Sequence, residues 1–330
     1  MKQFDFYCDA NINTGLGHFS RCKRIALKLV DISEDKIDIC FIGEISEEVG
    51  KEIISYGWKF TYNQMFEQKC LSSKKIAIID NYNISNTELF WLNETYLKTV
   101  FIDDFNQNDF SYTDLIINFR LEARKLNYKT PNVHFGPSYF PADDTMIKSR
   151  QKALQKLNSK MGYSIDSVLI YLGAASDELL RITIKAIDRC LTGKKIILIT
   201  GLKKLHVNPK INNNEIFIES LTNSLSEHLS KCDIVISSGG LIKYEAAFCI
   251  TPNACINSTN QQLTDSKILS KKKLTYNIGL EKDLIRKPDV LETKMKNFLS
   301  NHEIESQRKS MASNFDSNST KTVASLIMQL

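Results

Sequence analysis

Residues 4–29 read FDFYCDANINTGLGHFSRCKRIALKL, and the fold is decided in them. The opening residues 4–8 form a short, mostly apolar run of strand type, and the polar, glycine-bearing segment 9–17 cannot continue it. Beyond that segment Phe19, Cys22, Ile25, Ala26 and Leu29 recur at the spacing of one helix face, while Lys23, Arg24 and Lys28 lie on the opposite face. A strand, a tight loop and an amphipathic helix in that order make the first half of a βαβ unit, the building block of a parallel sheet.

The same alternation continues outward. Strand-like runs fall at 37–42, 59–62, 76–80, 99–103 and 115–118, with helix-period segments between them. Residues 146–164 are polar, rich in Lys, Gln and Ser, and end in Met161-Gly162-Tyr163-Ser164, which reads as a hinge. A second series follows, with strands at 167–172, 195–199, 215–218, 234–237, 254–256 and 274–277. Residues 280–330 read as helical and charged, interrupted at Pro288 and at 314–320. The expectation is an α/β protein of two doubly wound, Rossmann-like domains, 1–150 and 165–330, the second with a helical extension.

Composition agrees with that class. The chain has 330 residues, 42% hydrophobic and 25% charged, enough to build two cores without disulfides or metals. A net charge of +5, from 43 basic and 38 acidic residues, is too dilute for a nucleic-acid surface but suits a phosphate-bearing small ligand. No run of 18 apolar residues occurs, so no membrane span is expected. The eight cysteines (Cys8, Cys22, Cys40, Cys70, Cys190, Cys232, Cys249 and Cys255) form no CxxC pair and sit mostly in apolar stretches. With no signal-peptide pattern at the N-terminus, a reducing cytoplasm is the expected compartment.

In open parallel sheets ligands bind beyond the carboxyl ends of the strands, so the chemistry is sought in those loops. In the first, Gly15 and Gly17 allow close backbone approach and His18 stands at the helix N-terminus, where the dipole disfavours the imidazolium. A neutral imidazole at a loop tip is what a general base requires; the plainer alternative is a His that merely caps the turn. A dinucleotide fingerprint is disfavoured, because its third glycine position is Ser20 and the second strand ends in Ile42-Gly43 rather than an acid. In the second half, Ser237-Ser238-Gly239-Gly240-Leu241 is a small-residue turn between strand and helix whose amides can face a pyrophosphate. Glu245 in the first turns of that helix can accept from ribose hydroxyls, or can simply compensate the dipole.

These residues carry a resemblance. Asp9, Gly15, Gly17, His18, Arg21 and Cys22 in the pattern D-x(5)-G-x-G-H-x-x-R-C, then Ile79-Asp80-Asn81-Tyr82-Asn83-Ile84-Ser85, Asp103-Asp104 and S-S-G-G-x-x-x-Y-E, resemble the PseG/SpsG family over roughly residues 1–280. Its best-understood members are UDP-2,4-diacetamido-2,4,6-trideoxy-β-L-altropyranose hydrolases of pseudaminic acid biosynthesis, similar to the transferase MurG and of the GT-B fold. The resemblance implies two Rossmann-like domains facing a cleft and a cytoplasmic, monomeric enzyme that takes a UDP-sugar and needs no metal or cofactor. His18 would activate the water that displaces UDP. Asp9, Gly15, Gly17, Arg21, Tyr82, Asn260 and Gln261 would meet the sugar, and Gly173, Ser238, Gly239, Gly240, Leu241 and Glu245 the nucleotide.

Two departures bear on substrate. The family's G-G-x-D stands here as Gly173-Ala174-Ala175-Ser176-Asp177, and its G-P-x-Y-x-x-L-R as Gly136-Pro137-Ser138-Tyr139-Phe140-Pro141-Ala142-Asp143, without the Leu-Arg. A glycosyltransferase on the same scaffold, acting in surface polysaccharide or flagellin glycan synthesis, is therefore the alternative expectation. Asp103 and Asp104 lack a third ligand at metal spacing and are expected to make structural or substrate-hydroxyl contacts. Tyr128 is expected to face the sugar if it follows the family, or otherwise to pack.

Overall fold

The computed structural model describes residues 2–11, 14–62, 72–130, 132–159, 163–173, 175–200, 211–220 and 225–330. The chain divides into two compact units, residues 1–142 with 318–330, and residues 143–317. The first unit thus breaks off 8 residues before the expected 150, the second begins 22 residues before the expected 165, and the last helix belongs to the first unit instead of extending the second.

The first unit holds seven parallel strands, β1 (Gln3–Tyr7), β2 (Asp38–Ile42), β3 (Lys59–Thr61), β4 (Ser72–Ile79), β5 (Tyr96–Ile102), β6 (Leu115–Asn118) and β7 (Val133–Phe135), in the order β3-β2-β1-β4-β5-β6-β7. The order reverses at β1, between β2 and β4, and the loops leaving β1 and β4, with the first turns of the helix that follows β1, carry this unit's candidate residues. β1 is buried on both faces, with Phe4 and Phe6 wholly inaccessible, because helices cover both sides of the sheet. The edge strand β7 has three residues, between Pro131 and Gly136, too few to show a period.

Helix α1 (Gly17–Ile32) buries Phe19, Cys22, Ile25, Ala26 and Leu29, the expected face. Its charged face is not left to solvent. Lys23 and Arg24 are also buried, Lys23 donating to Glu52 at 2.6 Å on α2 (Glu47–Ser55) and Arg24 to the carbonyl of Pro141 at 3.3 Å. The last helix of the chain also packs on α1 and is pinned by Ser319 and Thr320 to the carbonyls of Phe140 and Ala142. α3 (Asn86–Thr95) joins β4 to β5 and begins in a capping box between Ser85 and Glu88.

The second unit begins with α4 (Asp144–Asn158), capped by Asp143 accepting from the amide of Met146 at 2.9 Å. Most of the expected hinge is therefore helix, and Met161 and Gly162 at its end lie outside the described residues. Arg150 explains the order of this polar segment: its buried guanidinium donates to the carbonyls of Phe248, Met311, Ala312 and Phe315. Six parallel strands follow, β8 (Ser167–Tyr171), β9 (Lys195–Thr200), β10 (Glu215–Ser220), β11 (Ile234–Ser238), β12 (Asn253–Asn257) and β13 (Tyr276–Leu280), in the order β10-β9-β8-β11-β12-β13. β13 begins two residues later than expected, since Leu274 and Thr275 are buried before the pairing with β12 starts.

Around this sheet lie α5 (Asp177–Cys190), α6 (Ser226–Lys231), α7 (Ile242–Phe248), α8 (Asn260–Lys271), α9 (Glu281–Arg286), α10 (Pro288–Phe298) and α11 (Asn301–Asn314). Pro288 starts α10, where its missing N–H costs nothing. The strands of this unit contribute Val168, Ile170, Ile196, Leu198, Ile234 and Ile236 to one apolar core, with α5 and α10 packed over it. The chain ends in α12 (Ser319–Met328), the helix that returns to the first unit. Among the described residues no helix is long and apolar enough to cross a membrane.

Candidate active site

His18 is the second residue of α1. The residue before the helix, Leu16, offers no side-chain cap, no acidic residue lies in the first turn, and the amides of His18 and Phe19 have no acceptor among the described residues. The positive end of α1 is thus left open. Gly15 makes this possible, sitting at φ +75° with its amide bonded to the Asn11 carbonyl at 2.8 Å. A side chain on Gly17 would meet nothing within 4 Å, so the ground in front of the helix is clear.

The imidazole of His18 is half-buried and meets the Tyr82 ring at a centroid distance of 4.4 Å and an interplanar angle of 86°. Neither ring nitrogen has a hydrogen-bond partner among the described residues. Burial lowers its pKa below 6.5; Arg21 adds to that, while Asp80, Asp104 and Asp9 oppose it. The ring is therefore neutral at pH 7 and able to accept a proton.

Behind the histidine lies a network of buried charges. Arg21, 3% exposed, grips Asp80 with a fork, Nε to Oδ2 at 2.8 Å and Nη2 to Oδ1 at 2.5 Å, and donates through Nη1 to Asp104 at 2.9 Å. Burial works against the guanidinium charge, but Asp104 and Asp80 outweigh it and hold Arg21 well above its ordinary value. Burial likewise pushes Asp104 up, yet Arg21, Arg120 and the Tyr82 hydroxyl overcome it and hold Asp104 down at about 2. Asp80, wholly buried, is shifted upward by burial against the pull of Arg21. The Tyr82 hydroxyl donates to Asp104, and Phe119 stacks under Arg21 with 5.3 Å between the guanidinium carbon and the ring centroid.

Several expected substrate contacts are already occupied by protein. Arg21 spends its donors on carboxylates. Asp9 accepts from the Glu44 amide at 2.9 Å and from Asn81 at 3.1 Å, tying the end of β1 to the loops after β2 and β4. Asp103 accepts from Tyr128 and from the Asn106 amide, while Tyr128 accepts from Asn118 at 2.9 Å; both are parts of the loop framework. Beside the histidine loop a pocket of about 170 Å³ is lined by Asp9, Thr14, Glu44, Asn81, Asn83, Ile84 and Glu88. Among the described residues no group of acidic, His or Cys side chains is arranged to hold a metal ion.

The second unit has its own loop cluster at the carboxyl end of its sheet. Gly173, at φ +61° after β8, lies against the Ser238 hydroxyl, which bonds nothing among the described residues and stands 3.6 Å from where a Cβ on Gly173 would be. The amides of Gly239, Gly240 and Leu241 have no acceptor among the described residues. Gly239 is required by close packing: a Cβ there would lie 2.9 Å from Gln262 and closer still to Asn257 Oδ1. Lys243 braces the turn from below, donating to the Gly239 carbonyl and pairing with Asp265 at 2.9 Å. Glu245 is 4% exposed and raises Tyr171, after burial, to about 12. Ala174 lies outside the described residues.

Asn260 and Gln261 open α8 and are exposed. The residue that reaches the glycine turn is their neighbour Gln262, whose Oε1 accepts from the Ser258 amide at 2.9 Å. Glu281 was not legible as a site residue. It accepts from Ser176 at 2.7 Å and from Ser258 at 3.2 Å, joining the loops after β8 and β12. Its only signal was an acid immediately following the last strand.

Two parallel-sheet, Rossmann-like domains of seven and six strands define the GT-B class. The full length of MurG from Acinetobacter baumannii superposes on the full length of this chain with a TM-score of 0.66 at 11% identity. In sequence the chain is similar to the pseudaminic acid cytidylyltransferase and UDP-2,4-diacetamido-2,4,6-trideoxy-β-L-altropyranose hydrolase of Helicobacter pylori. Identity is 26% over 267 residues, covering 79% of this chain and 45% of the relative. An uncharacterised protein of Methanocaldococcus jannaschii is 22% identical over 265 residues, 74% of this chain and 53% of that protein. The chain spans about half the length of the curated relatives it matches. No family model matches it.

Proposed function

We propose that this chain hydrolyses a UDP-linked diacetamido-trideoxyhexose to UDP and the free sugar. The observation that carries the reading is the His18 imidazole, kept neutral by burial and bonded through neither nitrogen among the described residues, at the open head of α1. The name of the Helicobacter relative supplies the substrate class. In the proposed step His18 takes a proton from water as the water oxygen bonds to C1. The bond between C1 and the phosphate oxygen breaks, and its electron pair leaves with UDP. The open amides at Gly239 to Leu241, with Ser238, are the proposed hold on the diphosphate, which they stabilise as its charge develops. Gly173 and Glu245 are assigned to the nucleotide, and Tyr82, Asn260 and Gln261 to the sugar.

A second reading keeps the site and passes the sugar to an acceptor hydroxyl; the Ala174-Ala175 pair and the absent Leu-Arg favour it. Incubation with the UDP-sugar and no acceptor separates the two. Release of UDP and free sugar is expected, and intact donor would favour transfer. His18→Asn should lower turnover by about 10² to 10⁴-fold while calorimetry shows UDP bound as before. Near-normal turnover in that variant would remove His18 from the chemistry.

A further inference from the structure

We propose that Asp104 is a positioning residue for His18: it anchors the Tyr82 ring against the imidazole by joining the Tyr82 hydroxyl to Arg21 on the histidine's own helix. Only its effect on turnover rests on the hydrolase reading.

Tyr82 stands in the turn after β4 and is 48% exposed, so packing alone does not fix its rotamer. Among the described residues two contacts besides His18 restrain it: the hydrogen bond to Asp104 and a tilted contact with Phe105 at 5.4 Å between centroids. Asp104 Oδ2 also accepts from Arg21 Nη1 at 2.9 Å. Arg21 follows His18 by three residues and so lies beside it on the same helix, and its fork on Asp80 leaves it no freedom to move. The path His18, Tyr82, Asp104, Arg21 therefore closes on one turn of α1. Held at about 2, the Asp104 carboxylate is ionised across the neutral range and accepts from both donors. Both donors meet at Oδ2, so an asparagine would keep one oxygen for them but lose the charge that strengthens both hydrogen bonds.

The test is the imidazole NMR spectrum of His18 in the full chain, assigned with His18→Asn. An aromatic ring 4.4 Å away displaces the histidine ring-proton signals, and Tyr82→Leu marks where they fall without it. Asp104→Asn should move them at least half of that distance. Tyr82→Phe, which keeps the ring and loses only the hydroxyl, should move them in the same direction, with no further movement when Asp104→Asn is added. Asp103→Asn, which disturbs the neighbouring Tyr128 contact, should leave them in place. His18 signals unmoved by Asp104→Asn overturn the proposal; should that variant not fold, unmoved signals in Tyr82→Phe overturn it equally. With the UDP-sugar as substrate, Asp104→Asn should lower kcat by up to about 10²-fold with little change in KM. Absence of turnover in the unmodified chain would count against the hydrolase reading and leave the spectra to decide this one.

Discussion

Replacing Arg21 by methionine should destabilise the first unit by about 3–5 kcal/mol at pH 7, the usual cost of leaving a buried charge without its partner. The size follows from the carboxylates that Arg21 serves. Asp104 is held at about 2 against an ordinary 3.8, and at about 1.4 kcal/mol per pH unit that alone is about 2 kcal/mol of stability at neutral pH. Asp80, with no exposure, loses both arms of its fork as well. Both tryptophans, Trp58 and Trp91, lie in the first unit, so urea unfolding followed by their fluorescence reports this unit by itself. The dependence on pH has a definite sign. In the unmodified chain Asp104 titrates lower when folded, so its contribution is present above pH 4 and is lost as pH falls toward 2. In the variant the two buried carboxylates titrate higher when folded than unfolded, so their cost is greatest at neutral pH and is relieved as they take up protons. The gap between the two proteins should therefore narrow from pH 7 to pH 5. A loss below about 1 kcal/mol at pH 7, or a gap that widens toward pH 5, would refute the account of Arg21 as the partner of both carboxylates.

Other outcomes are equally specific. Because burial lowers the His18 pKa, kcat/KM should fall on the acid side with a midpoint below 6.5; a midpoint above 6.5 would contradict a base in that environment. Gly239→Ala should destabilise the second unit by about 1–3 kcal/mol and weaken UDP binding, since Asn257 is committed to Asn277 and Gly279 and cannot yield to a methyl group. Unfolding by circular dichroism and UDP calorimetry check it, and unchanged values in both would show the turn to be looser than described. Arg150→Met should cost the second unit about 3 kcal/mol or more in the same unfolding measurement, because it strands carbonyls that end α7 and α11. Arg150→Lys should not restore it, as one ammonium cannot reach four carbonyls; full recovery with lysine would refute the capping role.

Local pattern made the βα unit at residues 4–29 readable, since both its periods and its glycine loop lie within one short window. What tertiary contact decides was not readable in the same way. Arg21 looked like a substrate contact because its partners, Asp80 and Asp104, lie 59 and 83 residues away in sequence. Residues 146–158 looked like a hinge because few of them are apolar, although Asp143 and Asp144 already gave the signature of a helix start. The burial of Lys23 and Arg24 goes with partners at Glu52 and Pro141, 29 and 117 residues further on, which no short window could anticipate. Gln262 was passed over because only its packing against Gly239, 23 residues back in sequence, brings it to the glycine turn.

The return of α12 sets an order of assembly. Residues 143–317 form one uninterrupted stretch and can fold as soon as they are made, whereas the first unit lacks its closing helix until that stretch has been synthesised. Through that interval the flank of α1 destined for α12 is bare, and the loop bearing the histidine is rooted in a helix that has not yet been clamped. A nascent chain would thus have its Ser238–Leu241 turn in place before the loop that bears His18 is secured.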